Sequence, residues 1–205
     1  MKRSICLVSF AMLFCIPLFA QRLHQSGFRL KLKTQHPYSI HKPHAIKRAT
    51  ALSLGYNLSA GAGLLMMPTR ITNWKREEFI ETAGPRLRTA WTQAPVWDKD
   101  SPWINYAGHP YQGAFYYNSL RSQGRPIWQS ALFVTGQTLF WEFVFEAVKE
   151  RPSRQDLITT PIGGVLLGEL THRMTLRMRR RGFTFWEKTF ITIFNPAYVL
   201  NHGYR

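Results

Sequence analysis

The chain has 205 residues, enough for one domain with a sizeable apolar core plus extensions; 45% are hydrophobic and 19% charged. Its 27 Lys and Arg against 11 Asp and Glu give a formal charge of +16, which selects anionic surfaces and acidic polymers as partners. Both cysteines, Cys6 and Cys15, fall within residues 1–20, so a chain cut after that stretch has no disulfide framework, thiolate metal site or thiol chemistry.

Residues 1–20 have the form of a secretory signal: Lys2 and Arg3, an apolar run from Ile5 to Phe19, and Leu18-Phe19-Ala20 before Gln21. Cleavage is expected after Ala20, and bulky Phe14 ahead of Cys15 argues against lipoprotein processing. Loss of Lys2 and Arg3 takes the charge from +16 to +14, because no acid precedes Glu77. An exported protein of that charge is expected to meet anionic lipid or lipopolysaccharide, with a protein partner as a further option, rather than nucleic acid. Residues 21–50 hold seven Lys and Arg, four His (His24, His36, His41, His44) and no acid. With few apolar residues to nucleate a core, they read as a flexible basic arm whose histidines are solvated rather than metal-bound.

The composition then turns small and apolar in ALSLGYNLSAGAGLLMM, residues 51–67, ended by Pro68. Three glycines in 17 residues make this short for a membrane span, so a packed or interfacial helix is expected. Asn73 to Thr82 predicts a polar helix capped by Asn73, with Glu77, Glu78 and Glu81 after it. Residues 83–103 read as a loop rich in Pro and Trp. Asp98 and Asp100 there lack the spaced Gly and distal Glu of a calcium loop, which leaves Asp100 or Ser101 to cap a helix opened by Pro102.

From Pro102 onward the pattern is helical, with strong helices over 110–123, 127–149 and 161–180, punctuated by Pro126, Pro152-Ser153 and Thr160-Pro161. Ser153 is expected to cap a short turn through Asp156, and Thr160 to cap the helix after it. The fold expected is mainly α: a compact, membrane-associated bundle of about four to six helices over a core domain, with a disordered N-terminal arm. An outer-membrane β-barrel would need several alternating strands of about ten residues, and only residues 51–67 and 183–200 could supply any.

On the helix from Ser130 to Lys149, Thr135, Thr138, Glu142, Glu146 and Lys149 recur at helical spacing and form one stripe. The stripe faces either water or the interior. In the interior Glu142 would need a cation or a proton, with Arg121, His172 and Arg173 as the available partners. On the helix from Pro161, Gly164 and Gly168 form a small-xxx-small pair that permits close backbone approach, and Glu169, His172 and Arg173 share a neighbouring face. Glu169 and His172 have the spacing of one di-iron ligand pair, but that site needs two such pairs plus two more glutamates and the chain has one pair, so neither a metal nor another cofactor is expected. Over 110–123, Gly113, Tyr117 and Arg121 lie on one face above His109. That face is expected to dock on the Glu142 and Glu146 stripe, with Arg121 paired to a glutamate. Arg177, Arg179, Arg180 and Arg181 beside Phe183, Phe185 and Trp186 suit a membrane interface or, equally, a solvated helix end.

Several of these residues fall in a recognisable order: His-Pro-Tyr-x-Gly, a Tyr pair, Arg-x-x-Gly, Trp-Glu-x-x-x-Glu, Pro-Ser-x-x-Asp and Gly-Gly-x-x-x-Gly-Glu, over residues 97–173. In this the chain resembles the family of domain of unknown function 3943, found in exported proteins of bacteria with outer membranes. The resemblance implies an envelope location, periplasm or outer membrane. It marks His109, Tyr117, Arg121, Glu142, Glu146, Asp156 and Glu169 as motif positions without giving any of them a role. The leading expectation is a structural or interaction protein with a paired His, Arg and Glu cluster. The alternative is an enzyme on envelope lipid or glycan, with His109 or Glu142 as acid or base, Glu169 as a further catalytic candidate and Arg121 holding an anion, although G-x-S-x-G and H-E-x-x-H are absent.

Overall fold

The computed structural model describes residues 44–66, 76–97 and 99–205, with backbone alone for 76–80. The expected signal segment, the arm up to residue 43, Asn73 and Asp98 lie outside the described residues. Seven α-helices follow one another among the described residues: α1 (Ala45–Met66), α2 (Arg76–Thr92), α3 (His109–Arg121), α4 (Ile127–Phe140), α5 (Asp156–Arg179), α6 (Phe185–Phe194) and α7 (Pro196–His202). These residues contain no strand, and a single bridge joins Val96 to Ser153.

The centre of the bundle is α3, on which every residue from Gln112 to Arg121 is buried. Its sequence is apolar on no single face, so it cannot sit half in water like an amphipathic helix. Helices α1, α4, α5 and α7 wall it in. Against α5 the contacts advance in step, His109 with Thr160, Gly113 with Gly164 and Tyr117 with Gly168, so the two helices run parallel. Their backbones nearly touch: a Cβ on Gly113 would lie 2.1 Å from Thr160 O, and one on Gly164 2.6 Å from Gly113 Cα. After α3 the chain turns at Gly124, whose φ of 88° suits glycine, and α4 runs back. Helix α1 also runs against α3, since Ala45 O accepts from Gln123 while Asn57 meets Tyr116 twelve residues later.

The boundaries differ from expectation in four places, each for a tertiary reason. Helix α1 starts at Ala45, inside the stretch read as an arm, because Ala45 and Ala49 are buried and Arg48 bonds to Asn201 Oδ1 and Leu200 O, both at 2.7 Å. Helix α2 continues past Gly84 and Pro85 to Thr92, where a loop was expected from residue 83. Trp91 packs on Phe143 with ring centroids 5.4 Å apart, and Arg86 Nη1 donates to Lys149 O at 2.5 Å, and together these outweigh the helix-breaking pair. Helix α5 starts at Asp156 rather than Pro161, so Thr160 is no cap, and its side chain turns to His109. Ser153 does hold the preceding turn, its Oγ accepting from Asp156 N at 3.2 Å. Finally, α4 widens into a π-turn over Trp141–Phe145 and ends in a 3-10 turn, Glu146–Val148. That widening turns both Trp141 and Glu142 inward.

The distribution of side chains is inverted relative to a water-soluble bundle. Ser53, Asn57, Gln112, Asn118, Thr138, Glu142, Thr171 and Asn195 are buried. Outward along α5 run Ile158, Ile162, Leu166 and Leu170, with exposures of 54%, 59%, 70% and 57%. Leu54 and Leu58 on α1, and Leu132 and Leu139 on α4, are likewise exposed.

Candidate functional site

The π-turn Ile104–Gly108 delivers His109 to the first position of α3, buried, with Pro110 behind it. Nδ1 of His109 is 3.1 Å from Thr160 Oγ1, and Nε2 is 3.6 Å from Asp156 Oδ2. Both partners project from the first turns of α5, so the parallel pairing of α3 and α5 builds this half of the site. The other half comes from the π-turn after α4. Glu142 is 1% exposed, and its Oε2 accepts from Ser153 N at 2.8 Å. Thr159 Oγ1 reaches Asp156 Oδ1 at 3.4 Å. One ligand atom from each of His109, Glu142 and Asp156 falls within 4.8 Å of the other two. An imidazole between two carboxyl groups can pass a proton or bind a cation.

A second polar cluster lies further along the same seam. Glu169 Oε2 accepts from Tyr117 OH at 2.6 Å and from Arg121 Nε at 3.0 Å, and Oε1 accepts from Arg173 Nε at 2.8 Å. Arg121 Nη1 also donates to Arg125 O at 3.1 Å. The face carrying Gly113, Tyr117 and Arg121 thus docks on α5, not on the Glu142 and Glu146 stripe. The glycines decide this, because Gly164 admits the α3 backbone at Gly113 and Gly168 admits the Tyr117 side chain. Asp156 and Glu169 stand 13 residues apart on α5, so the two clusters are about 20 Å apart along the helix. The single polar centre expected from the sequence is two.

The expected stripe on α4 divides as well. Thr138 and Glu142 face inward, whereas Thr135 is exposed. Glu146 accepts from Trp141 Nε1 at 2.6 Å. Lys149 Nζ sits 2.5 Å from Glu150 and 4.0 Å from Asp100. Burial alone would lower the lysine's pKa, but Glu150, Glu146 and Asp100 outweigh it and hold it above the usual value. Glu142 has no lysine or arginine partner among the described residues. His172 is buried one turn beyond Glu169, and Arg173 is exposed on Glu169's other side.

Apart from Tyr116, one of the Tyr pair, sequence reasoning missed the polar residues that bind the helices together. Tyr116 OH accepts from Gln112 Nε2 at 2.6 Å and donates to Asn57 Oδ1. Asn118 Nδ2 donates to Gly168 O at 3.2 Å and Thr171 Oγ1 at 3.1 Å, and Asn195 Nδ2 donates to Thr175 Oγ1 at 2.9 Å. A further signal was Asn57, the one amide in the small and apolar stretch 51–67.

The model of a family described as a domain of unknown function (DUF3943) matches residues 94–197. That span contains both clusters and leaves α1 and nearly all of α2 outside it. No curated protein and no solved structure matches the chain.

Proposed function

The chain belongs to the DUF3943 family, and from the inverted surface of its bundle we propose that it is a structural or interaction protein embedded in a cell-envelope membrane. Its outer faces lie in lipid and its polar clusters fasten the helices together. The observation that carries the reading is the apolar exterior around a polar interior, repeated on α1, α4 and α5. In water each exposed Ile or Leu forgoes roughly 1.5–3 kcal/mol of burial, and lipid removes that deficit. Among the described residues Ile127–Val148 is the helical stretch both long and apolar enough to cross a membrane; its 22 residues and the 22 of α1 each span about 33 Å, and the 24 of α5 about 36 Å, against a hydrocarbon core of about 30 Å.

The ends of the bundle support the same placement. Where α5 begins, Trp91, Trp97, Trp103 and Tyr106 are exposed near Arg151 and Arg154. Beyond its end, Phe185 and Trp186 are exposed a few residues after Arg177, Arg179, Arg180 and Arg181, and Trp128 is exposed at the start of α4. Two aromatic belts flanked by cations match the two headgroup layers of a bilayer, anionic lipid being the favoured surface. The signal-like start of the sequence supports export.

The test is extraction. Membranes from expressing cells are washed with high salt and with alkaline carbonate, then with detergent. The protein should leave only with detergent, and brominated lipids should quench its tryptophans. Release by salt alone would overturn the reading, since surface charge pairs are screened at that ionic strength.

A second reading, an enzyme acting on envelope lipid or glycan, is favoured by one observation: His109 between Thr160 and Asp156 beside Glu142, an arrangement suited to acid and base chemistry. Arg121 takes no part in it, being engaged by Glu169 and Arg125 O.

A further inference from the structure

We infer that His109, Glu142 and Asp156 form a binding site for one divalent transition-metal cation of the zinc class. Three observations carry this. First, the donors converge from three separate elements, α3, the π-turn and α5, with one atom from each within 4.8 Å of the others. A four-coordinate ion with bonds of about 2.0–2.1 Å holds its ligands roughly 3.3 Å apart. His109 Nε2 and Asp156 Oδ2, at 3.6 Å, are nearly there already. Rotation of the Glu142 side chain closes the remainder.

Second, Glu142 Oε1 is buried and has no hydrogen-bond partner, while Oε2 has the single donor Ser153 N. An ionised carboxylate left so poorly partnered is disfavoured by several kcal/mol. A dication answers this directly, because two carboxylates, one neutral imidazole and a 2+ ion sum to zero charge. Third, the outer contacts that orient metal ligands are in place: Thr160 Oγ1 on His109 Nδ1, Ser153 N on Glu142, and Thr159 Oγ1 on Asp156. A mixed imidazole and carboxylate donor set suits zinc-class ions better than magnesium or calcium. With three protein ligands, the fourth position falls to water. The other acidic group, Asp100, Glu146 and Glu150, already surrounds the Lys149 ammonium.

The experiment uses the full chain in mild detergent, with His24, His36, His41 and His44 replaced by Asn so that the basic arm contributes no ligands. After dialysis against a chelator, Zn2+ is titrated by calorimetry and bound metal is counted by mass spectrometry. One equivalent should bind. Glu142→Gln, which keeps the acceptor for Ser153 N, should weaken binding by at least about 100-fold, and Thr160→Val by about 10- to 100-fold. Circular dichroism checks that each variant is folded. X-ray absorption of the zinc-loaded parent chain gives a readout independent of any variant, with one imidazole nitrogen and two carboxylate oxygens expected. Absence of stoichiometric zinc, unchanged affinity in a folded Glu142→Gln, or a shell of several imidazoles would each overturn the site. Binding in detergent does not depend on the membrane reading, so either can fail alone.

Discussion

Replacing Gly113 by Ala adds one methyl group to the closest seam in the molecule. The new Cβ would stand 2.1 Å from Thr160 O, 3.1 Å from Thr160 C and 2.8 Å from Gly164 Cα. All three are backbone atoms, so no side-chain torsion relieves the clash, and α3 and α5 must part by more than an ångström. Overpacking of this kind costs about 1–3 kcal/mol. The separation also stretches the His109–Thr160, Tyr117–Glu169 and Asn118–Gly168 bonds along the seam, at about 1 kcal/mol each. Alanine's better helix propensity returns about 1 kcal/mol, which leaves a net loss of roughly 3–5 kcal/mol. The internal reference is Gly136→Ala in α4, where a Cβ meets nothing within 4 Å. That substitution should stabilise by about 0.5–1 kcal/mol. Denaturation in micelles, followed by near-ultraviolet circular dichroism, compares the pair. If Gly113→Ala falls within 1 kcal/mol of the parent chain, the backbone contact between α3 and α5 is not as described.

The Arg121 and Glu169 pair should behave as a unit: Arg121→Gln or Glu169→Gln alone is expected to cost about 2–4 kcal/mol, below the full loss for a buried pair because Glu169 keeps Arg173 and some solvent. The double substitution should cost clearly less than the sum, and a strictly additive cycle would show the two do not interact. Tyr116→Phe leaves Asn57 and Gln112 without their shared hydroxyl and should destabilise by about 1–2 kcal/mol in the same assay. Outside the helical core, Arg181 and the Thr184 hydrogen bonds hold the Glu187 carboxyl down to about 2 from its ordinary 4.5. Because the folded-state value is depressed, the cap of α6 is fully stabilising above pH 4.5 and lost as pH falls through about 2. The carboxyl carbon shift of Glu187 followed by NMR should titrate there, and a midpoint near 4.5 would show the cap is open.

Helix existence was legible over most of the described chain, because Pro126, Pro152 and Gly124 punctuate strongly periodic segments. Neighbour choice was not. Arg121 had glutamates at suitable spacing on both α4 and α5, and periodicity alone cannot say which helix lies opposite. The deciding information sat in Gly113 and Gly164, whose meaning is the partner backbone they admit. Thr135 was misplaced for another reason. The π-turn at Trp141–Phe145 adds a residue to the turn, so a stripe extrapolated at 3.6 residues from Glu142 backward drifts off the inner face, where Ser130, Val134 and Thr138 lie instead. Thr160 before Pro161 carries a helix-start signal, but the contact with His109 draws it into the body of α5. The proposed metal-ligand trio was invisible as a trio, since 33 residues separate His109 from Glu142 and 14 separate Glu142 from Asp156.

In the proposed membrane setting, the polar interior and the glycine seam follow from one physical requirement. Lipid tails are as apolar as leucine, so burying more leucine between helices gains little in a membrane, and association must come from close packing and hydrogen bonds. Helix α3 meets that requirement on several sides: Gly113 against the α5 backbone, Asn118 on Gly168 and Thr171, Tyr116 on Asn57 of α1, and Gln123 after its end on Ala45 O. A water-soluble protein of the same fold would place aliphatic side chains at these positions. The identity of the buried residues therefore bears on the proposed solvent as directly as the exposed ones do. Exchanging Asn57 or Asn118 for Leu should loosen the packing of α3 rather than tighten it.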